Sequence, residues 1–222
     1  HSVIHPLMAK TFDNSGKFQT GFFPHALKIE DVNGDNHLDF VIPASASRKL
    51  NILFGDGNGG IISNREYPVG KGPTWVAASD LNVDGFKDFI ITNTGEGSLT
   101  IYFGGKDGRL LNRQDIGEIH GPSCVVTGDF NLDGLNDIAV TQAALSKVVI
   151  LMNDPNSSFK VSQSFDVERG PHIMDEVDLN QDKISDLVVG SLGSHTLSVF
   201  LGTGKGDFAQ AKKIKVGSFP HY

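Results

Sequence analysis

Residues 80–88 read Asp80-Leu81-Asn82-Val83-Asp84-Gly85-Phe86-Lys87-Asp88, or DLNVDGFKD. The carboxylates of Asp80, Asp84 and Asp88, packed within nine residues, repel one another unless something positive or hydrogen-bonding sits among them. The stretch has three relatives in the chain: DVNGDNHLD from Asp31, DFNLDGLND from Asp129 and DLNQDKISD from Asp178, each 49 residues from the next. Pro24, Pro73, Pro122, Pro171 and Pro220 keep the same 49-residue period. After each acidic stretch comes a short β-branched run (FVIP, FIIT, IAVT, LVVG), then a second (LNILFGDG, LTIYFGGK, VVILMNDP, LSVFLGTG). No segment has a 3.6-residue apolar period over helical length, and the runs are bounded by Gly, Asn, Asp and Ser.

Each unit therefore reads as Pro, strand A, acidic loop, strand B, turn, strand C, Gly-rich turn, strand D. A period near 50 residues with four strands is the pattern of a propeller blade. The expected fold is all-β, a β-propeller of four-stranded antiparallel blades at residues 24–70, 73–119, 122–168 and 171–216. Residues 1–23 read as an N-terminal strand from a preceding or swapped blade, and 217–222 as the start of a further one. All 222 residues thus form one domain or segment, expected to be completed to a larger ring by a second copy or by further sequence.

Position 6 of each acidic loop calls for a left-handed backbone. Gly85 and Gly134 supply it cheaply, Asn36 tolerates it, and Lys183 does so poorly. Side chains at positions 1, 3, 5 and 9 are Asp31, Asn33, Asp35 and Asp39; Asp80, Asn82, Asp84 and Asp88; Asp129, Asn131, Asp133 and Asp137; Asp178, Asn180, Asp182 and Asp186. Backbone carbonyls at position 7 (His37, Phe86, Leu135, Ile184) complete each donor set. Hard oxygen donors in this number suit Ca2+, up to four ions, whereas Mg2+ demands stricter octahedral geometry and transition metals favour His or Cys. The site opening at Asp178 is expected to be the weakest, because Lys183 adds a positive charge. An EF-hand is excluded: position 12 is Ile42, Ile91, Val140 or Val189, not Glu, and no helices flank the loops. A single DxNxD could be plain turn chemistry; four at a fixed period, always with Asp at position 9, call for a metal.

The net charge of −7 argues against nucleic acid as a partner. The loops hold 12 of the 26 acidic residues, leaving 14 against 19 Lys and Arg, so the acidity is local and four Ca2+ would bring the chain near neutrality. Cys124 is the only cysteine, which excludes an intrachain disulfide, and it reads as a small buried hydrophobe. No apolar run approaches the ~18 residues of a membrane span. No nucleophile-elbow, zinc-protease or phosphate-loop pattern occurs, and a fully coordinated structural ion leaves no position for substrate, so no catalytic residue is expected.

In such blades the A–B and C–D turns share one face and the D–A and B–C connections the other. The second face gathers His25, Thr74, Ser123 and His172 after the recurring prolines, with Arg48 and His195 in the B–C turns. These are the expected contacts for a carbohydrate or protein ligand, since recognition concentrates on loops carried by a rigid scaffold. Trp75 aligns with Ala26, Cys124 and Ile173 and reads as inner-strand core.

The DxNxDxxxD loops, spread over residues 24–216, resemble those of the FG-GAP and VCBS repeat family, the calcium-loop blades of integrin α-subunit propellers and related proteins. Phe54-Gly55 and Phe103-Gly104 match the "FG"; Leu201-Gly202 keeps only the Gly, and Met152-Asn153 has neither, so the third blade is expected to build its C–D corner differently. The resemblance implies Ca2+ in the A–B loops and a secreted, extracellular or periplasmic module for adhesion or ligand binding. A purely structural scaffold and a carbohydrate-active enzyme, lyase or hydrolase, are the alternatives, because fold does not set function. A homodimer closing the ring is one expected assembly, and a longer propeller of which this chain is a segment is the other.

Overall fold

The computed structural model describes residues 20–217. The strand expected in residues 1–23 and the blade start expected at 217–222 lie outside these residues but for a few positions. The described chain forms four four-stranded antiparallel sheets and, apart from a 3-10 turn at Lys106–Gly108, no helix. The first sheet is β1 (Lys28–Glu30), β2 (Asp39–Ala44), β3 (Lys49–Gly55) and β4 (Ile61–Pro68). The second is β5 (Pro73–Ser79), β6 (Asp88–Asn93), β7 (Ser98–Gly105) and β8 (Arg109–Ile116). The third is β9 (Pro122–Gly128), β10 (Asp137–Gln142), β11 (Lys147–Met152) and β12 (Lys160–Asp166). The fourth is β13 (Pro171–Val177), β14 (Asp186–Ser191), β15 (Thr196–Gly202) and β16 (Phe208–Lys215). Each sheet keeps strict sequence order, so every blade is a meander.

Burial explains the sequence pattern strand by strand. The B and C strands of the second and third blades are covered on both faces, by the next sheet and by the previous one, and they read as continuous apolar runs, as do those of the first blade, which the second covers on one face. The D strands lie outermost and alternate, with charged residues outward, as in Lys160–Asp166. Hydrophobic cores fill the three junctions between successive blades: Leu50, Ile52 and Phe89 in the first, Ile90, Leu99 and Ile138 in the second, Val148, Ile150 and Leu187 in the third. The A strands are innermost and pack in succession, β1 on β5, β5 on β9 and β9 on β13; among the described residues no comparable packing joins β13 to β1. No helix among the described residues is long and apolar enough to cross a membrane.

The recurring proline opens strand A at a bulge. Register between β5 and β6 shifts between Pro73 and Trp75, and the Thr92 hydroxyl accepts the Trp75 amide at 3.0 Å. In the third blade Thr141 accepts the Cys124 amide at 2.9 Å in the same way. A β-branched hydroxyl on strand B thus satisfies the donor that the bulge leaves unpaired.

The acidic loops as a candidate metal centre

The four loops share one hydrogen-bond scheme. The position-1 carboxylate accepts the amides of positions 5 and 6; for Asp80 these are Asp84 at 3.2 Å and Gly85 at 2.9 Å. Asp31, Asp129 and Asp178 repeat the pattern, and Asp31 also takes the Gly34 amide at 2.8 Å. The position-3 Asn accepts the position-5 amide through Oδ1 and donates Nδ2 to the position-5 carboxylate at 2.8–2.9 Å in every loop. The position-5 carboxylate in turn accepts the amide of position 7, from His37, Phe86, Leu135 or Ile184. These turns draw the side chains of positions 1, 3 and 5 inward.

Position 9 does something different. Asp39, Asp88, Asp137 and Asp186 are wholly buried at the start of strand B. One carboxylate oxygen of each accepts the amide of loop position 2: Val32, Leu81, Phe130 and Leu179 at 2.8–3.1 Å. The other accepts an amide from the C–D corner: Gly55, Gly104, Asn153 and Gly202 at 2.8–2.9 Å. One buried side chain thus ties the acidic loop to the C–D corner of its own blade.

That tie explains the glycine of the "FG" pair. Its φ is not positive; the need is for space. A Cβ at Gly55, Gly104 or Gly202 would stand 2.3, 2.0 or 2.3 Å from the carbonyl oxygen of loop position 8, Leu38, Lys87 or Ser185. The third blade does differ here, as Met152-Asn153 led us to expect. Asn153 donates Nδ2 to the position-8 carbonyl of Asn136 at 3.1 Å and to the Leu81 carbonyl of the preceding blade's loop at 2.7 Å. Asn136 donates to the Asp80 carbonyl at 3.0 Å. The third blade therefore replaces a close approach with a polar stitch onto the second loop.

Position 6 is left-handed in all four loops: Asn36 (φ 64°), Gly85 (85°), Gly134 (87°) and Lys183 (69°). Position 4 is left-handed as well, at Gly34 (77°), Val83 (60°), Leu132 (62°) and Gln181 (64°), which the residue types alone do not signal. A left-handed conformation costs a residue with a Cβ about 1–2 kcal/mol, and a β-branched one is the least suited. Val83 is exposed, so no packing holds it there. Val83→Asn is expected to raise stability by about 1 kcal/mol, read as a rise in the urea midpoint at unchanged slope.

The electrostatics are unbalanced. Among the described residues the one ion pair made by a loop ligand is His37 Nδ1 with Asp35 Oδ1 at 3.6 Å; Lys and Arg pair elsewhere, as in Lys147 with Asp166. Hydrogen bonds from the Asn33 amide and the His37 backbone hold the Asp35 carboxyl below its usual range. Burial has the opposite effect on position 9: it pushes Asp88 and Asp137 up to about 6, against the two amides each accepts, and raises Asp39 too. Folded metal-free protein therefore binds protons at Asp88 and Asp137 that the unfolded chain has released. Their contribution to stability is fully present below about pH 4 and is lost as pH rises to about 6. Metal-stripped protein is expected to melt at lower temperature at pH 6.5 than at pH 5; a rise across that window would contradict the burial of these two carboxyls.

Among the described residues no three acidic, His or Cys side chains stand close enough to hold a metal ion. Of the three carboxylates in each loop, the one at position 9 is engaged by the amides of loop position 2 and of the C–D corner. The donor set includes an Asn and a backbone carbonyl, and the Asn Nδ2 sits against the position-5 carboxylate. The donors at positions 1, 3, 5 and 7 fit Ca2+: oxygen only, two carboxylates, an amide and a backbone carbonyl per loop, on a backbone already wound inward, whereas the position-9 carboxylate expected among them is taken up by two backbone amides.

The other expected contact residues are dispersed. Thr74 shares its hydroxyl with Thr92 (3.1 Å) and Thr94 (2.5 Å). Ser123 is buried, bonded to Thr141 at 2.8 Å and to the Pro171 carbonyl of the next blade at 3.1 Å. Arg48 and His195 occupy the same left-handed turn position, φ 53° and 56°, where the second blade has Gly97. Their carbonyls accept the Val69 and Val216 amides. His25 and His172 line a trough of about 800 Å3 between the innermost strands of all four blades. Trp75 lines it too, while packing against the second and third junction cores, so it is both core and trough wall. Cys124 is fully buried beneath, its thiol pushed up to about 12 by desolvation, which leaves it unreactive.

The FG-GAP-like repeat matches at residues 31–91 and again at 80–140, spanning the first three acidic loops. This is an FG-GAP-like repeat protein. No curated protein matches the chain. Among solved structures, periplasmic gluconolactonase PpgL of Pseudomonas aeruginosa superposes with a TM-score of 0.69 at 16% identity, over 89% of this chain and 55% of that one. BBS1N in complex with ARL6DN gives 0.61 at 16%, over 90% and 58%. The Vibrio cholerae biofilm matrix protein Bap1 gives 0.52 at 18%, over 87% and 29%. Identities this low speak for the fold alone. This chain spans less than two thirds of the length of each of those chains.

Proposed function

We propose that this β-propeller segment is a calcium-stabilised, non-catalytic binding module working outside the cytoplasm, extracellular or periplasmic. The observation that carries the calcium reading is uncompensated charge: twelve carboxylates gathered in four loops of one geometry, with His37 as their single ionic partner among the described residues. A divalent ion would take the place that the Asn Nδ2 holds against the position-5 carboxylate, once the amide turns its oxygen inward. When bound, it would fix the A–B corner by neutralising that charge. Asp80, Asn82, Asp84 and the Phe86 carbonyl would hold it in the second loop, with Asp88 anchoring the loop from behind; the other loops follow the same assignment. The fourth is proposed as the weakest, for Lys183.

The ligand side is proposed at the opposite end, where the B–C turns meet the D–A connections. His25 and His172 at the trough, Arg48 and His195 in the turns, and the Trp75 wall offer donors, charge and an aromatic surface to a carbohydrate or a protein. A trough of this volume is in the usual range for ligand sites. Thr74 and Ser123 contribute by bracing the strand starts. BBS1N, seen in complex with ARL6DN, lends support to a protein-binding role. A calorimetric titration tests the metal half: Ca2+ is expected to bind at three to four sites per chain and Mg2+ far more weakly. Absence of Ca2+ binding would defeat it. A glycan array and pull-down in Ca2+, repeated with a His25→Ala/His172→Ala double variant, test the ligand half.

A further inference from the structure

The third blade departs from the others at one corner residue, and that residue stands between two acidic loops. Where the other blades have the corner glycine, Asn153 is 6% exposed and its side chain is fully engaged. Its backbone amide donates to Oδ1 of Asp137, the anchor of the third loop, at 2.8 Å. Its Nδ2 donates to the Leu81 carbonyl of the second loop at 2.7 Å. The Leu81 amide in turn donates to Oδ2 of Asp88, the anchor of the second loop, at 2.8 Å. Three hydrogen bonds thus run from one anchor carboxylate to the next, through Leu81 and Asn153. A second link runs alongside, from Asn136 Nδ2 to the Asp80 carbonyl at 3.0 Å.

The relay lies out of water, with Asp88, Leu81 and Asp137 all wholly buried. Neither of the other junctions repeats it. The second blade has Gly104 at the corner, with no side chain to reach back to the first loop. At the fourth blade the Phe130 carbonyl accepts the Gly206 amide at 2.9 Å, whereas Asp186 grips Gly202, so no single residue joins those two anchors.

Each acidic loop has two conditions: wound, as here, or sprung by repulsion among its carboxylates. If the second loop springs and Leu81 moves away, Asn153 is left with an unpaired donor in a buried site, which is unfavourable. The wound second loop and the seated Asn153 therefore favour each other. The seated Asn153 holds Asp137, and with it the third loop.

We infer that Asn153 couples the second and third loops, so that Ca2+ held by one raises the affinity of the other. The inference rests on the calcium reading above and adds to it that two of the loops fill as a pair. Asn153 is a positioning residue, since it is not among the proposed donors to the ion. The coupling is reciprocal, as any linkage between two binding equilibria must be, and is expected to be about five- to tenfold.

A Ca2+ titration of the whole chain, followed by NMR at the Gly85 and Gly134 amides, reads the two loops separately. Asp80→Asn/Asp84→Asn, which silences the second loop, is expected to raise the Ca2+ midpoint at Gly134 about five- to tenfold. Asp129→Asn/Asp133→Asn is expected to raise the midpoint at Gly85 by the same factor. With Asn153→Ala added, silencing either loop is expected to leave the other's midpoint where it was. Should Asn153→Ala fail to fold, Asn153→Gly, which copies the corner of the second blade, takes its place. Asp31→Asn/Asp35→Asn, in the first loop, is expected to leave the Gly134 midpoint in place. A Gly134 midpoint indifferent to the second loop, or a shift that survives loss of the Asn153 side chain, would overturn the coupling and leave the calcium reading standing. Gly85 and Gly134 amides that do not respond to Ca2+ at all would overturn both.

Discussion

Stripping calcium is expected to lower the melting temperature by tens of degrees. A ligand at one hundred times its Kd adds about 2.7 kcal/mol per independent site, and for a chain of this size each kcal/mol moves the transition by roughly 2–4 °C. One occupied loop thus corresponds to about 5–10 °C, and the effect grows with each further loop. The chemistry behind the size of the effect is local. Asp80, Asp84 and Asp88 belong to one nine-residue turn, and no Lys or Arg among the described residues pairs with them. A thermal melt in excess chelator beside one in millimolar Ca2+ measures it. Coincident curves would mean that the backbone amides alone hold the loops and that the ion is dispensable.

Gly104→Ala is expected to cost about 3 kcal/mol or more, at the upper end for overpacking. The added Cβ would lie 2.0 Å from the Lys87 carbonyl oxygen and 3.0 Å from its carbon, both backbone atoms that cannot swing aside. Relieving the clash pulls the C–D corner off the acidic loop and strains the bond from the Gly104 amide to Asp88, which then keeps one acceptor oxygen unpaired in a buried site. Asn153→Ala, at the same position of the third blade, is expected to cost less, about 2 kcal/mol, because it only removes three side-chain hydrogen bonds, two that Nδ2 donates and one that Oδ1 accepts from the Asp154 amide, with no backbone clash. Denaturation in urea with Ca2+ present reads both. Equal costs would show that the corner glycine is not needed for its close approach.

The fold was legible in the sequence because a propeller is a repeat. The 49-residue period, the proline before each inner strand and the unbroken apolar runs each stand for one structural element, and three or four copies remove the ambiguity of any single one. The loop chemistry was legible for the same reason, down to the left-handed turn at Asn36, Gly85, Gly134 and Lys183. Position 4 was not: Val83, Leu132 and Gln181 adopt the same conformation, and nothing in those side chains announces it. Nor was the standing of Thr74 and Ser123, whose hydroxyls are engaged by strand-opening turns of their own and neighbouring blades. Trp75 was read as core from the company it keeps in the repeat, and the inner-strand trough it also lines appears only when four blades are placed together.

The repeat, the four-stranded blade and the set of oxygen donors could be read before folding was considered, since each depends on residues close along the chain. The tertiary structure decided what position 9 and the corner glycine are for. Asp88 and Gly104 are 16 residues apart, and only the folded meander shows one buried carboxylate gripping both ends of the blade. Leu50, Leu99, Val148 and Leu197 are interchangeable in the sequence; burial tells the last from the others, because burial depends on the neighbour and not on the residue.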